Sequence, residues 1–330
     1  MKRSIWKWIL QLAVLAILGL LVWWVLRNAP LVEIWAALRQ LRLWQIAVIL
    51  VVNGLLYVLV TLRWWLIVRA EARQVPYLAL IAVRLAVFGV SYFTLGPQVG
   101  GEPLQVLALQ RRYGLSYTRA TASVLMDKLI EFLVDFLLLP FGLIAIFRAG
   151  ALAGNSLSFP WELTGLLVLM LWPPIHIYLL HQNHHPLTAL LHALPFIPKK
   201  SRTVRFLRAA EWLAGNFCQR HLSSLLEALG VTLVAGAGMV AEYALMASFL
   251  GIHLAFWKSV AGWATGWLSL LMPLPGGLGA MEAGQVLVLG RFGISAALAI
   301  SMALVIRSRD IVLGATGLLL AGTSSWKKQQ

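Results

Sequence analysis

Long apolar runs separated by short basic segments dominate the chain. Trp8–Leu26 is apolar behind Lys2, Arg3 and Lys7. It is longer than the apolar region of a secretion signal, and Trp23-Trp24-Val25-Leu26-Arg27 offers no small-residue cleavage site. Residues 5–26 therefore read as an uncleaved span. Further full-length stretches fall at about 45–68, 120–147, 161–181, 222–250 and 294–321. Since roughly 20 apolar residues bridge a hydrocarbon core of roughly 30 Å, these predict about six full crossings. Residues 30–44 are too short and too charged to span. Leu31, Ile34, Leu38 and Leu41 share one helical face behind Pro30, which predicts an interfacial helix.

Two segments break this pattern: Leu95-Gly96-Pro97-Gln98-Val99-Gly100-Gly101-Glu102-Pro103 and Met272-Pro273-Leu274-Pro275-Gly276-Gly277-Leu278-Gly279-Ala280-Met281-Glu282. Backbone without helical hydrogen bonds survives at membrane depth only inside protein or beside a wet cavity. Each segment follows an apolar stretch, 77–95 or 255–272, and precedes one too short to cross. The simplest geometry is a re-entrant helical hairpin, with Pro97, Gly100 and Gly101 turning the first and Pro275, Gly276, Gly277 and Gly279 the second.

The surroundings of the two turns recur. Gly114 lies twelve residues beyond Glu102, with Lys128 fourteen and Glu131 seventeen beyond that glycine. Gly293 lies eleven beyond Glu282, with Arg307 fourteen and Asp310 seventeen further on. The chain therefore reads as one all-α integral membrane domain over 1–330. Repeat 1 covers about 77–148, repeat 2 about 255–322, and a cytoplasmic basic segment 182–221. That segment holds Lys199, Lys200, Arg202, Arg205, Arg208 and Arg220, and the stripe Phe206, Leu207, Ala210, Leu213, Ala214, Phe217 lays part of it on the membrane surface. The bias of basic loops puts both termini in the cytoplasm. Three crossings then separate the hairpins, which enter from opposite faces as in an inverted repeat.

Composition agrees. Of 330 residues, 60% are hydrophobic and only 12% charged, against roughly 25% charged in soluble domains. Fifteen Trp suit membrane interfaces. The net charge of +15 fits basic cytoplasmic loops and anionic lipid rather than nucleic acid. A single cysteine, Cys218, excludes an internal disulfide and a Cys-based zinc site. Gly276-Gly277-Leu278-Gly279 lacks the Lys-Ser/Thr of a phosphate loop, and no His-Glu-x-x-His or Ser elbow is present. No cofactor and no metal are expected. His176, His181, His184, His185 and His192 read as a solvated or headgroup-facing cluster.

Ionisable residues inside spans are costly and default to function. Lys128 with Glu131, and Arg307 with Asp310, form either structural ion pairs at i,i+3 spacing or, with Arg84, a site for a lipid phosphate. Glu102 and Glu282 either cap the helices they begin or serve as gating or proton-coupling carboxylates, a role also open to Asp127, Glu131 and Asp310. Asp127, Glu131 and Asp135 share one face and form a proton relay or the polar side of a bundle helix. Arg63, near the end of its span, is placed to snorkel.

At Gly96-Pro97-(Gln98-Val99)-Gly100-Gly101-Glu102, Asp127-Lys128, Leu274-Pro275-Gly276-Gly277-Leu278-Gly279-Ala280-Met281-Glu282 and Arg307, the sequence resembles the transmembrane region of lysylphosphatidylglycerol synthases, a bacterial and archaeal flippase-like family. The resemblance covers roughly 10–320. It departs where the family usually has Arg, at Gln105 and Lys128. It implies a stand-alone member without the aminoacyl-transferase domain, in the cytoplasmic membrane, working as a translocator or binder of phospholipid or polyprenyl-phosphate-type lipid rather than as an enzyme. The alternatives are an accessory protein that presents lipid to a separate enzyme, and a membrane-embedded enzyme that modifies a lipid headgroup. Partners are membrane lipids, with a homo-oligomer or a lipid-modifying enzyme possible.

Overall fold

The computed structural model describes residues 31–72, 74–93, 101–148, 161–193, 198, 201–272 and 274–322. Among them the chain is all-helical, with twelve helices, one 3-10 turn and no strand. The helices are α1 Leu31–Arg39, α2 Leu43–Glu71, α3 Tyr77–Phe93, α4 Glu102–Tyr113, α5 Tyr117–Arg148, α6 Trp161–His181, α7 Pro186–Ala193, α8 Arg202–Arg220, α9 Leu222–Phe249, α10 Phe256–Leu271, α11 Ala280–Arg291 and α12 Ala296–Gly322. The turn Pro275–Gly277 lies between α10 and α11. The span at 5–26, and Pro97 and Gly100 of the first turn, lie outside the described residues.

The helix expected over 30–44 ends earlier, at Arg39. Arg42 is extended (φ −83°, ψ 148°), and its backbone N–H donates to Gln45 Oε1 at 2.8 Å. The Gln45 side chain thus caps the start of a new helix, so Leu43 and Trp44 belong to α2. Of the predicted stripe, Ile34 is buried with Ala297 and Ile300 of α12 and Leu38 packs beside it, whereas Leu31 is exposed.

Helices α2 and α9 are long and apolar enough to cross a membrane. Their burial is inside out. Val51 and Val234 are 62% and 60% exposed, while Arg63 and Glu242 are each 2% exposed. A water-soluble bundle would turn these faces the other way.

The helix lengths recur. α2 to α5 measure 29, 17, 12 and 32 residues, and α9 to α12 measure 28, 16, 12 and 27. A short amphipathic helix precedes each set: α1 packs on α12, and α8 packs on α5. The contacts between the sets are reciprocal, since α3 packs on α12 and α10 on α5. Contact registers give directions. Trp44 meets Phe249 and Leu56 meets Gly238, so α2 and α9 are antiparallel. Leu85 lies at Gly317 and Phe93 at Gly314, so α3 and α12 are antiparallel. Trp257 stacks on Phe141 and Trp267 meets Phe136, so α10 and α5 are antiparallel as well.

Glycine permits two of these approaches. A Cβ on Gly317 would lie 2.0 Å from Leu85 O, and one on Gly142 would lie 3.0 Å from Ala261 Cα. Small residues at such crossings let backbones pack without a hydrophobic driving force, which lipid does not supply.

Both broken segments double back. The start of α3 (Leu80) clusters with the end of α4 (Leu109) and with Leu115. Ala261 near the start of α10 packs on Val288 near the end of α11, and Lys258 Nζ sits 5.3 Å from the Phe292 ring centroid. At 1.5 Å per residue, α3 is roughly 26 Å long and α4 roughly 18 Å, so α4 falls short of a roughly 30 Å core. The two glycines that punctuate the sequence pattern, Gly114 (φ 68°) and Gly293 (φ 82°), are both left-handed and follow α4 and α11. That conformation stops a helix cheaply only at glycine.

Candidate functional site

The second turn is built around a cation. Gly276 (φ 54°) and Gly277 (φ 63°) leave the helical path, so their carbonyls have no helical partner. Arg307, projecting from α12, supplies one. Its Nη1 donates to Gly276 O and its Nη2 to Gly277 O, each at 2.9 Å. Nη2 also donates to Glu282 Oε2 at 2.9 Å, and Nε donates to Glu282 Oε1. The same carboxylate accepts from the Gly279 backbone N–H at 3.0 Å, capping α11. The planar fork of an arginine suits this set of acceptors. Tyr92 at the end of α3 packs against Gly276, so the two broken regions meet.

A cavity of about 210 Å³ lies between the two helix sets, lined from α2, α3, α4, α5, α9, α10, α11 and α12. Much of the polar lining is charged. Arg63 Nε donates to Asp127 Oδ1 and its Nη2 to Glu131 Oε2, both at 2.6 Å. Arg84 Nη1 donates to Asp127 Oδ2 at 3.0 Å. Lys128 Nζ donates to Glu131 Oε1 at 3.1 Å and lies 3.6 Å from Glu102 Oε1. Arg309 Nη1 donates to Glu242 Oε2 at 2.7 Å and its Nη2 to Asp310 Oδ1 at 2.8 Å. The lining also holds apolar residues, among them Phe88, Met239, Trp263, Trp267 and Leu270. Gln105 is buried there with its Oε1 unpaired. Buried acceptors without a donor are rare.

Of the residues singled out for a lipid phosphate, Lys128 and Arg84 line this cavity, whereas Arg307 is held in the second turn and does not. Glu102, Glu131 and Asp310 line it; Asp127 is fully buried behind Arg63 and Arg84; Glu282 belongs to the turn. The two i,i+3 pairs diverge: Lys128 does bond Glu131, but Arg307 bonds Glu282 and leaves Asp310 to Arg309.

Arg63 does not snorkel. It is 2% exposed and ties α2 to α5. The sequence held a signal for it: Arg63 and Glu242 each lie twenty residues after the first residue of α2 or α9, at matching places in the two sets. Asp135, read from the sequence as part of a proton relay or a polar helix face, lines the cavity, and so do Arg309 and Glu242, which spacing assigned to no site. The histidines separate. His181 and His184 are exposed, but His176 is buried with its Nε2 3.9 Å from Glu211. Glu211 itself caps α7 by accepting from the N–H groups of Leu187 and Thr188 at 2.7 and 2.9 Å. Among the described residues no three His, Cys, Asp or Glu side chains converge as metal ligands.

No curated protein matches the chain. The lysylphosphatidylglycerol synthase TM region matches residues 8–317, nearly the whole length. Both turns, the charged cavity and the inside-out helices fall within the matched span. The chain belongs to the lysylphosphatidylglycerol synthase TM region family of membrane proteins, a family related to lipid handling.

Proposed function

We propose that the protein is a translocator that carries a phosphate-bearing lipid, of phospholipid or polyprenyl-phosphate type, between the leaflets of a bacterial or archaeal cytoplasmic membrane. The observation that supports this best is a cavity lined by both charged and apolar side chains, set between two helix sets whose first long helices run antiparallel. Such a cavity matches an amphiphile, headgroup to the charges and chain to the aromatic wall. The reciprocal packing and opposed directions of α2–α5 and α9–α12 support an inverted repeat, widened from the two hairpins to residues 31–148 and 202–322. In that plan a site lies near the midplane between repeats. Both termini face the cytoplasm, and six crossings accompany the two re-entrant hairpins.

Lys128 is the residue placed to receive the phosphate. Arg63 and Arg84 are locked between Asp127 and Glu131. The longer partner of Lys128, Glu102, is 27% exposed at its side chain, so an incoming anion can take its place. Glu102 also begins α4, where backbone N–H groups and the helix dipole favour negative charge. Arg84 stands behind as a second cation, and Arg307 keeps the second turn in shape.

Reconstitution in liposomes that carry a fluorescent anionic phospholipid tests this. The expected result is protein-dependent exchange of headgroups between leaflets that Lys128→Ala slows strongly. Absence of exchange with any anionic or polyprenyl-phosphate lipid overturns transport. Lipid that copurifies without exchange assigns the chain to the accessory role.

A further inference from the structure

We infer that Asp135 and Glu242 are two proton-binding carboxylates in the cavity wall, and that a proton enters at one of them when an anion binds at Lys128. The inference deepens the proposed lipid route and rests on it for the anion, but not for the proton.

Charge balance within the described residues carries it. Arg63, Arg84 and Lys128 answer Asp127, Glu131 and Glu102, cation for carboxylate. Arg309 answers two carboxylates, Glu242 and Asp310. Asp135 forms no ion pair. Two carboxylates are thus left over. The neighbouring segment 94–100 and residue 273, outside the description, contain no charged residue.

Geometry puts the surplus at two places. Asp135 is 6% exposed. Around it stand Glu131 one turn earlier, Arg63 and Lys128, and the neutral indole of Trp267 from α10. Glu242 is 2% exposed and faces Arg309 and Asp310 from α12. Its Oε1 has no hydrogen-bond partner, the Asn53 amide of α2 facing the carboxylate without closing that bond. Both residues line the same cavity as Lys128.

An ionised carboxylate out of water and short of a cation is disfavoured against its protonated form. A proton from water on an Asp135 or Glu242 oxygen removes one negative charge, and nothing is oxidised or reduced. A bound phosphate headgroup adds a negative charge close by and so raises the affinity for that proton. By reciprocity the proton raises the affinity for the anion by the same factor.

Two measurements on the full-length chain in lipid test this. Infrared difference spectra between pH 9 and pH 6, taken without added anion, should show the carbonyl band of a protonated carboxyl growing in as pH falls, reduced in Asp135→Asn and lost in Asp135→Asn/Glu242→Gln. A wild-type protein in which that band appears at no pH in this range, or a double variant that retains it, overturns the proton site whether or not lipid binds. Binding of a short-chain phosphatidylglycerol, whose phosphodiester keeps one charge over this range, should be tighter at pH 6 than at pH 8 by roughly threefold or more, and pH-independent in the double variant. Equal affinity at both pH values overturns the coupling. No binding at either pH, with the infrared band present, is a failure of the lipid-route reading and leaves the proton site standing. Both substitutions nearly preserve side-chain volume, and a monodisperse elution profile checks that each variant folds.

Discussion

The Arg307 guanidinium donates from Nη2 to the carbonyl oxygen of Gly277 at 2.9 Å, so a side chain of the last long helix completes the backbone of the second turn. Its other donors go to Gly276 O and to Glu282, whose carboxylate in turn caps α11. One side chain thereby satisfies two carbonyls that no helix serves, buried inside the protein where water does not replace them.

Arg307→Lys keeps the charge and loses the fork. A lysine ammonium cannot reach both carbonyls and both carboxylate oxygens at once. Each buried acceptor left unpaired costs about 1–3 kcal/mol, so the variant should unfold at clearly lower temperature in detergent, and Arg307→Ala at lower temperature still. Thermal unfolding followed by circular dichroism checks this. If Arg307→Lys melts with the wild type, the clamp has no structural role.

Gly317 and Gly54 should respond in opposite senses to the same change. A Cβ at Gly317 would sit 2.0 Å from Leu85 O, whereas one at Gly54 meets nothing within 4 Å. Gly317→Ala must separate α3 from α12, and overpacking of this kind costs about 1–3 kcal/mol. Gly54→Ala, in mid-helix and unobstructed, should be neutral or stabilise by up to about 1 kcal/mol. Melting temperatures of the two variants side by side decide it, and equal destabilisation would contradict the crossing between α3 and α12.

Apolar run length and the two Pro/Gly segments made much of the helical pattern legible in the sequence, because each reports a local requirement of backbone in lipid. The extent of the two helix sets was not legible. α1 and α8 differ in length, and their matching role appears only in what they pack against, α12 and α5. The site divides the same way. Lys128 and Glu131 are helical neighbours, so their pairing could be read from spacing. Arg307 and Glu282 are 25 residues apart, and Arg63 and Asp127 are 64 apart. No local rule assigns such partners, so Arg307 read as a phosphate ligand and Arg63 as a snorkelling residue.

Glu102 should behave as a competitor of the lipid phosphate for Lys128. Glu102 lies 3.6 Å from Lys128 Nζ and is partly open to the cavity. Glu102→Gln removes the negative charge that an incoming phosphate must displace, so affinity for an anionic lipid should rise several-fold, while Lys128→Ala lowers it. A difference of 1.4 kcal/mol is about tenfold, which sets the scale for loss of one charge-assisted contact. Titration of each variant in nanodiscs with a fluorescent anionic lipid gives the two signs. If both substitutions weaken binding, Glu102 is part of the lipid site and not its occupant.

Cys218 offers a pH-dependent probe outside the spans. It lies on α8, 1% exposed, with its Sγ 3.8 Å from Met126 Sδ on α5. Burial pushes its thiol from an ordinary value near 9 up to about 12. The folded state therefore keeps a proton that the unfolded state releases above about pH 9. The stability this contributes is complete below that pH and is lost as pH rises from about 9 to about 12. Two results should follow. At pH 7 a maleimide should label the single thiol slowly in the folded protein and fully in sodium dodecyl sulfate, because both the thiolate and access are lacking. Between pH 8 and pH 10 the wild type should lose more thermal stability than Cys218→Ala, since the variant has no thiol to titrate. Fast labelling of the folded protein, or identical pH slopes, would mean that α8 does not seal this face of α5.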